Sequence, residues 1–395
     1  MLFRCSLMNS SRLVAAVSTV ALTVSLAACS EQPTNTTEGN SPSSSTSSST
    51  APGADKLALA NNISLTGAGA TFPAPLYQKW FAEFNKKHPK VQINYQSVGS
   101  GAGVEQLIKG TVDFGASDVG MKEEEIKKVS KGIIMLPMTA GSIVMAYNLP
   151  GVDAEIKLPR AVYVDILLGK IKTWDDPKIV AANPGLKLPN TAITVVYRSD
   201  GSGTTAVFTK HLSTISPDWK TAVGDGKSVK WPVGVGAKGN EGVTAQIQQT
   251  PGAIGYIEYG YAKQNKIAFA TLENKAGKYP KPSEESASKS LASVTLPENL
   301  KASVSDPEGD DSYPIVTYTW LLVYKQYADA DKAKALEAVI EYGLTEGQKV
   351  SSEIGYVPLP SNVVEKVGAA AQTISPDYKT EVGGGTASPT PKPSK

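Results

Sequence analysis

The chain has 395 residues, which is enough for two domains with sizeable cores. Its net charge of +2 gives no bulk electrostatic reason to expect nucleic acid or an acidic polymer as a partner. Both cysteines, Cys5 and Cys29, lie close to the N-terminus, so we expect no disulfide and no cysteine metal site in the folded part. The two histidines, His88 and His211, lie in no motif typical of a zinc site or a catalytic triad, and we expect structural or exposed roles.

The N-terminus has the pattern of an export signal. An arginine-flanked start is followed by apolar or small residues from position 13 to 28, and the stretch ends Leu26-Ala27-Ala28-Cys29. This run is short for a membrane-spanning helix and is typical of a signal peptide, which we place at residues 1–28. The ending resembles the bacterial lipobox, which predicts that Cys29 carries the lipid, such as palmitate, and becomes the first mature residue. The alternative is an ordinary secretory signal in which Cys29 is incidental.

Two segments have compositions that do not predict folding. Residues 29–61 are dominated by Ser, Thr, Asn, Pro and Gly, and such a sequence buries too little apolar surface to fold. We expect them to form a flexible tether between a lipid anchor and a folded domain. Residues 376–395 end Thr-Pro-Lys-Pro-Ser-Lys and predict a disordered tail.

Strands and helices alternate between these two segments. In chain order the first set predicts strands at 63–65, 91–97, 112–116, 133–138 and 142–147, with helices at 75–87 and 103–109. The second set predicts helices at 160–168, 204–212 and 242–249, a strand at 193–197, and a strand pair at 253–257 and 267–270. Residues 275–311 predict irregular structure with a surface helix, followed by a strand at 315–324 and a helix at 329–345. This alternation favours mostly parallel sheets with helices on both faces, in two lobes around a cleft.

A glycine-rich turn with several hydroxyl groups joins a predicted strand to a predicted helix, and reads Tyr197-Arg198-Ser199-Asp200-Gly201-Ser202-Gly203-Thr204-Thr205. Free backbone N–H groups and the positive end of a helix favour an anion at such a turn. Arg198 adds a charge-assisted contact, and Asp200 is close enough to orient it. Further donors are Ser202, Gly203 and Thr204. A Walker phosphate loop is excluded because no Gly-Lys-Ser/Thr follows, which leaves a plain surface turn as the alternative.

Two earlier glycine-rich segments occupy the same position between a strand and a helix. The first, Gly67-Ala68-Gly69-Ala70-Thr71-Phe72-Pro73-Ala74-Pro75, offers the Thr71 hydroxyl and the backbone N–H groups of Thr71 and Phe72. A dinucleotide fingerprint is disfavoured because Phe72 stands where the third glycine belongs. The second, Gln96-Ser97-Val98-Gly99-Ser100-Gly101-Ala102-Gly103, predicts Ser100 as a helix cap and an anion donor. A helix cap or turn without a ligand is the alternative for each segment.

An acidic residue ends the segment Asp113-Phe114-Gly115-Ala116-Ser117-Asp118. Phosphate at neutral pH carries at least one O–H, which a carboxylate accepts, whereas sulfate carries none. Asp118 therefore predicts a selectivity filter that acts through an unpaired-charge penalty. Its alternative is the cap of the next helix.

Several of these segments are similar to the phosphate-binding protein of the bacterial phosphate-specific ABC transporter. The similar stretches are residues 66–75, 113–118, 185–189, 198–204, 230–234 and 252–259, in the family's order, and the resemblance covers roughly residues 62–370. It implies an α/β periplasmic-binding-protein fold of type II, in which two lobes, each a mixed and mostly parallel sheet flanked by helices, are joined by two hinge crossovers. Lobe I is then expected at residues 62–146 and 317–375, and lobe II at residues 147–316.

The resemblance also implies a ligand and a set of contacts. Phosphate is expected at Thr71, Phe72, Ser100, Asp118, Arg198, Ser202, Gly203 and Thr204, with Asp200 pairing with the arginine. The implied function is high-affinity binding of inorganic phosphate and its delivery to ABC permease subunits, by an exported monomer that is lipid-anchored to the cell membrane and faces the periplasm or the cell exterior. No enzyme activity, cofactor, metal or nucleic acid is expected.

Two other functions stay open. A phosphate-ester hydrolase would also need loops that grip phosphate, but Ser202 has no histidine in its motif and the carboxylates do not cluster. A surface lipoprotein without a transport role would show no saturable anion binding. The acidic segment at residues 306–311 lacks the ligand spacing of a calcium loop, and we expect it to be solvated.

Overall fold

The computed structural model describes residues 56–292 and 294–382 of the chain. The predicted signal peptide, Cys29, most of the tether and the end of the tail lie outside these ranges. The strands are β1 (Ile63–Gly69), β2 (Val91–Ser97), β3 (Phe114–Ser117), β4 (Ile133–Tyr147), β5 (Lys157–Leu158), β6 (Thr194–Arg198), β7 (Val235–Ala237), β8 (Ala253–Glu258), β9 (Phe269–Leu272) and β10 (Val316–Tyr324). The helices are α1 (Ala74–Lys87), α2 (Ser100–Lys109), α3 (Glu123–Ile126), α4 (Arg160–Leu167), α5 (Pro177–Ala182), α6 (Gly203–Ile215), α7 (Pro217–Ala222), α8 (Gly239–Gln249), α9 (Tyr259–Asn265), α10 (Glu284–Ala292), α11 (Ala330–Leu344), α12 (Glu346–Ser351) and α13 (Ser361–Ala371), with a 3₁₀ turn at Ser352–Ile354.

The strands form one mixed sheet with the order β2-β1-β3-β10-β4-β8-β6-β7. Strand β9 also pairs with β4, and β5 pairs with β9. The strands at each end of this order are parallel: β1 pairs with β2 and β3, and β6 pairs with β7 and β8. The central strands β4 and β10 are antiparallel to their neighbours. We call the part around β1, β2, β3 and β10 lobe I, and the part around β6, β7 and β8 lobe II.

Strand β4 runs from one lobe into the other. It pairs with β10 as far as Ser142 and with β8 from Ile143 onward, so its pairing partner changes between these two residues. The sequence predicts two strands here, which is wrong, because the ladder to β10 continues past the predicted gap with only a shift of register opposite Thr319 and Trp320. A bulge of this kind keeps one strand continuous while bending it. The predicted pairing of residues 253–257 with 267–270 is also wrong, since β8 and β9 each pair with β4.

The strands nearest the centre are covered on both faces. Every residue of β10 is buried, which is typical of a strand between two layers of helices and loops. In lobe I, α11 packs against β1, α1 and α13. In lobe II, α8 packs against β6 and β8. The packing confirms the predicted α/β layering and leaves the strand ends free to carry a site.

The predicted tether and tail both overlap the folded part. Leu57 and Leu59 are buried in the core, so the sequence prediction of disorder up to residue 61 is wrong at its end. Thr380 donates from Oγ1 to the buried carboxylate of Glu337 at 2.6 Å, so disorder from residue 376 is also wrong at its start. In the first case apolar side chains gain by burial, and in the second a buried carboxylate needs donors. Across the ranges described, no helix has both the length and the apolar character needed to cross a membrane.

Candidate anion-binding site

The predicted segments meet where parallel strands end. Gly69 at the end of β1 is in register with Ser97 of β2 on one side and with Ala116 of β3 on the other. The segments that follow these strands therefore lie side by side, as the carboxyl edge of a parallel sheet requires. From lobe II, β6 ends at Arg198 and α6 begins at Gly203. The structure thus brings together segments that the sequence analysis grouped from their shared position between strand and helix.

Arg198 is held by Asp200 through two hydrogen bonds, from Nε to Oδ1 at 2.7 Å and from Nη2 to Oδ2 at 2.5 Å. The guanidinium is almost fully buried, with a side-chain exposure of 1%. Burial raises the pKa of Asp200, but the hydrogen bonds and charge of Arg198 outweigh burial and lower it. The pair is therefore ionised at neutral pH. The remaining guanidinium nitrogen, Nη1, faces Thr204 and lies 3.4 Å from its Oγ1.

Asp118 is a buried carboxylate at the end of β3, with an exposure of 1%. Its Oδ1 accepts from Thr319 Oγ1 at 2.9 Å, and its Oδ2 lies 3.3 Å from Thr204 Oγ1. Burial raises its pKa to about 6, against the hydrogen bond from Thr319 and the positive charge of Arg198. Helix α3 begins at Glu123 with Lys122 at its cap, so Asp118 does not cap the next helix.

Four hydroxyl residues that the sequence analysis assigned to the site are buried, two from each lobe. They are Thr71, Ser100, Ser202 and Thr204. The Ser202 hydroxyl caps α6 by accepting from Thr205 N at 3.0 Å. Ser100 was predicted as the cap of α2, which is wrong: Gly99 is the cap residue, and the Ser100 hydroxyl accepts from Asp118 N at 3.2 Å. Gly99 has φ of +93°, a backbone conformation that favours glycine and lets the helix begin at Ser100.

The two lobes are in direct contact around the site. Gly101 N donates to Gly201 O at 2.7 Å across the cleft. A Cβ atom added at Gly203 would lie 2.4 Å from Ser100 Oγ and 2.8 Å from Asp118 Oδ2. Only a residue without a side chain allows the start of α6 to approach these two residues of lobe I this closely. The chain is therefore in an arrangement with the cleft closed over these side chains.

Three residues at the site were not predicted from the sequence. Asn240, at the start of α8, contacts Thr71 and Thr204 through its amide group. Tyr256 accepts from Arg198 N at 3.1 Å through its hydroxyl, and Thr319 donates to Asp118 as described above. Asn240 follows Lys238-Gly239 after a short strand, which is a weaker form of the strand–glycine–helix signature. Tyr256 and Thr319 lie inside strands. Tyr256 falls in the stretch 252–259 that resembles the family, but the resemblance assigned it no role, and no local motif marks Thr319.

Two predictions about side chains outside the site have different outcomes. His211 is buried with Nε2 2.8 Å from Tyr163 Oη, and burial lowers its pKa to about 3, so its role is structural as predicted. The prediction that residues 306–311 form a solvated loop is wrong at Asp306. This residue is buried, and its carboxylate accepts from Arg160 Nη1 at 2.9 Å and from Arg160 Nη2 at 2.6 Å. Among the residues with described positions, no group of three or more His, Cys, Asp or Glu is placed to hold a metal ion.

The two-lobed sheet and the donor-rich site at its strand ends define the class of protein. Residues 32–346 match the family model described as a PBP superfamily domain. The chain belongs to the family of phosphate-binding proteins named PstS. It is 44% identical over 329 residues to the Phosphate-binding protein PstS of Haemophilus influenzae, covering 82% of this chain and 96% of that protein. It is 43% identical over 321 residues to the protein of that name from Pasteurella multocida, covering 80% and 90%.

Solved structures agree with this fold. A structure of a high-affinity periplasmic phosphate-binding protein, PfluDING, bound with phosphate has a TM-score of 0.63 at 20% identity and covers 81% of this chain and 100% of that chain. A phosphate-binding protein from Stenotrophomonas maltophilia has a TM-score of 0.62 at 18% identity and covers 78% and 93%. At these identities the likeness bears on the fold, and the predicted two-lobed α/β fold is confirmed. The PstS family is one of substrate-binding proteins rather than enzymes, so a hydrolase is not favoured.

Proposed function

We propose that this chain binds inorganic phosphate in the cleft between its lobes and delivers it to an ABC-type import permease. The observation that supports this most strongly is the buried Asp118 carboxylate, which lies among hydroxyl groups and beside a buried arginine. A site made only of donors would suit any tetrahedral oxyanion. One acceptor among many donors suits an oxyanion that still carries a proton.

The proposed contacts come from both lobes. Lobe I contributes the hydroxyl and N–H of Thr71, the N–H of Phe72, the hydroxyl of Ser100 and the carboxylate of Asp118. Lobe II contributes the guanidinium of Arg198 and the donors of Ser202, Gly203 and Thr204 at the start of α6. Asp200 holds the guanidinium in place through the paired hydrogen bonds described above. A helix N-terminus adds a favourable field for an anion to these donors.

The buried carboxylate gives this site a basis for rejecting sulfate. Phosphate at neutral pH donates its O–H to Asp118, whereas sulfate at the same position places an oxygen without a proton against a carboxylate. An unpaired buried charge is costly, so the penalty falls on sulfate alone. Arsenate has the same shape as phosphate and a similar number of protons, and it is expected to follow phosphate.

The test is isothermal titration of the purified domain without its signal peptide, using phosphate, arsenate and sulfate in a buffer free of all three. We expect saturable binding of one phosphate per chain, competition by arsenate and little heat from sulfate. Absence of phosphate binding by a folded protein would contradict the proposal. Hydrolysis of a generic phosphomonoester by the same preparation would favour the hydrolase instead.

We also propose that the protein is exported and held at the outer face of the cell membrane by a lipid on Cys29. The support is the Leu26-Ala27-Ala28-Cys29 sequence and the polar composition of the residues after it. A lipid anchor followed by a tether keeps a binding protein beside its permease while leaving it free to turn. We also propose the lobe boundaries that the sequence predicts, with lobe II at residues 147–316 inserted into lobe I. By strand pairing, the first crossover falls a few residues earlier, where β4 changes partner between Ser142 and Ile143.

A further inference from the structure

Asn240 is a fully buried amide at the start of α8, with an exposure of 0%. Its Oδ1 accepts from the backbone N–H of Glu258 at 3.0 Å, at the end of β8. A backbone N–H has no acceptor role, so this bond fixes which end of the amide is oxygen and which is nitrogen. The Nδ2 group therefore faces the site and can act only as a donor.

The Asn240 amide donates to one hydroxyl from each lobe. Its Nδ2 lies 2.8 Å from Thr71 Oγ1 and 3.3 Å from Thr204 Oγ1. The backbone N–H of Asn240 also donates to Thr71 Oγ1, at 3.0 Å. A hydroxyl oxygen has two acceptor positions, and at Thr71 both are filled by Asn240. The Thr71 proton is consequently the only part of that hydroxyl left for a further bond, and no acceptor for it is found within the described part of the chain.

Thr204 is in a similar situation on the other side of the cleft. Its Oγ1 accepts from Asn240 Nδ2 and lies 3.4 Å from Arg198 Nη1. Its proton then points to the remaining direction, where Asp118 Oδ2 lies 3.3 Å away. Two hydroxyl groups that ordinarily rotate between donor and acceptor roles are thereby reduced to donors by the groups behind them.

We infer that Asn240 is a positioning residue that sets the polarity of the phosphate site. By filling the acceptor positions of Thr71 and Thr204, it leaves each hydroxyl group with only its proton to offer. In this structure Thr204 offers that proton to Asp118 Oδ2. When phosphate binds, an unprotonated ligand oxygen takes the Thr204 proton, and the ligand's own O–H replaces it at Asp118. This inference rests on the proposed function and explains how that function gains specificity. A hydroxyl free to rotate would accept a ligand proton almost as well as it donates to a bare oxygen, and discrimination by Asp118 would weaken.

The variant that tests this directly is Asn240→Asp. It keeps the shape of the side chain and replaces the NH₂ donor with an oxygen that can only accept. One carboxylate oxygen still accepts from Glu258 N, while the other draws the Thr71 and Thr204 protons away from the ligand. Two donors to a charged ligand are lost and a negative charge is added. We expect phosphate affinity at pH 8 to fall by at least about 100-fold.

The chain supplies a matched control in Asn183. This amide is also buried, with an exposure of 4%, accepts one backbone N–H from Lys157, and donates twice, to carbonyl groups of Lys157 and Ile179. It lies within lobe II, and within the described part of the chain none of its side-chain hydrogen bonds reaches a residue of the site. Asn183→Asp makes the same chemical change, and we expect any loss of folding stability to leave phosphate affinity within about threefold of wild type.

The pH dependence separates polarity from a merely structural role. Several titratable or charged groups lie near position 240, either next to it in the chain or one hydrogen bond away through a shared neighbour. They are Asp118, Arg198, Asp200, Glu241, Glu258 and Tyr261. These are common to both proteins, so the ratio of wild-type to variant affinity removes their contribution. Once protonated, the carboxyl group introduced by Asn240→Asp regains one O–H donor, so the deficit of this variant is expected to shrink by about tenfold between pH 8 and pH 6.

Asn240→Ala supports the test if Asn240→Asp does not fold. It removes the Nδ2 donor without adding charge, and we expect affinity to fall about tenfold with a pH profile parallel to wild type, while Asn183→Ala stays within about threefold. Wild-type affinity in Asn240→Asp, a deficit independent of pH, or equal effects in the two alanine variants would each overturn the inference. A wild-type protein that binds no phosphate would instead overturn the proposed function, and that titration is done first.

Discussion

Arg198 and Asp200 lie two positions apart in the chain and are joined side by side, with Nε and Nη2 of the arginine each donating to a different carboxylate oxygen. Asp200 Oδ1 also accepts from Gly239 N at 3.0 Å, at the start of α8. The carboxylate therefore ties the guanidinium to the start of a second helix. Of the three guanidinium nitrogens only Nη1 remains outside this pair, so the geometry leaves one direction in which Arg198 can reach a ligand.

The first prediction concerns this arginine. Arg198→Ala removes the cation from the proposed site and should weaken phosphate binding by at least about 100-fold, because losing one partner of a buried charged hydrogen bond costs about 2–5 kcal/mol. Titration calorimetry measures the change. Phosphate affinity near that of wild type, in a variant that melts cooperatively, would remove Arg198 from the site.

Arg160→Ala is the matched control for that variant. Arg160 also forms a two-bond pair with a buried carboxylate, that of Asp306, with distances of 2.9 and 2.6 Å. Arg198→Ala leaves the partly buried Asp200 without its arginine, and Arg160→Ala leaves the buried Asp306 without its arginine, so both should lower the melting temperature. Only Arg198→Ala should change the affinity for phosphate, which separates a binding role from a general loss of stability.

The second prediction concerns selectivity. In Asp118→Asn the amide presents its oxygen to phosphate or its NH₂ to sulfate, so the repulsion against an oxyanion without a proton disappears. The variant should keep measurable phosphate binding and gain sulfate binding, with arsenate following phosphate. A competition titration of sulfate against phosphate on both proteins gives the ratio of affinities. An unchanged ratio would assign the discrimination to the backbone donors of Thr71, Phe72 and Gly203.

The third prediction uses the same variant without any ligand. The pKa of Asp118 is raised from 3.8 to about 6, mainly by burial. Because this pKa is higher in the folded state than in the unfolded state, the folded protein becomes less stable as the pH rises from 3.8 to about 6. Two pKa units correspond to about 3 kcal/mol, so phosphate-free Asp118→Asn should melt a few degrees above wild type at pH 8. The two should approach each other near pH 4, and a wild type more stable at pH 8 would contradict the raised pKa.

The parts of the site that the sequence predicted share one local feature. Apart from Asp118, which follows the end of β3, each lies where a glycine-rich turn joins a strand to a helix, and the chemistry of such a turn depends on consecutive residues. Ser202 caps α6 for this reason, and the Arg198 and Asp200 pair forms within one turn. Asn240 and Thr319 were not predicted because their roles depend on contacts with residues far away in the sequence, and only the packed sheet brings those residues together.

The fold shows the same limit. Strands and helices with a clear period were predicted close to their observed positions, because period reflects which face is buried. The continuity of β4 was missed, since whether a strand bends or breaks depends on its ladder with β10. Short helices such as α5 and α7 have too few residues for a period. The ordered ends at residues 56–61 and 376–382 depend on long-range contacts with the core and with Glu337.

The fourth prediction concerns the proposed anchor. Cys29→Ser should abolish lipidation, because serine cannot form the thioether, and the mature domain should be released or remain unprocessed. Fractionation of cells into membrane and soluble material, with metabolic labelling by a fatty acid, measures both outcomes. A neighbouring substitution such as Ser30→Ala controls for changes at the cleavage site. A variant that stays acylated and bound to the membrane would show that the lipobox interpretation is wrong.

The fifth prediction concerns the close approach of the lobes at Gly203. Gly203→Ala adds a methyl group that would lie 2.4 Å from Ser100 Oγ and 2.8 Å from Asp118 Cβ, so the two lobes must separate to accommodate it. Overpacking of this kind costs about 1–3 kcal/mol, and we expect phosphate affinity to fall by roughly 10- to 100-fold. Small-angle scattering should show a more open protein at phosphate concentrations that close the wild type.

Gly242→Ala is the control for that substitution. Gly242 lies in α8, and a Cβ atom there would meet its nearest neighbours in Ala237 at 3.7 Å, an ordinary contact distance. Alanine in place of glycine inside a helix stabilises it by about 1 kcal/mol, so this variant should melt slightly higher and bind phosphate as wild type does. If Gly203→Ala also binds phosphate like wild type, the contact of α6 with Ser100 and Asp118 is not part of the ligand-bound arrangement, and the proposed contacts of Gly203 and Ser100 would have to be withdrawn.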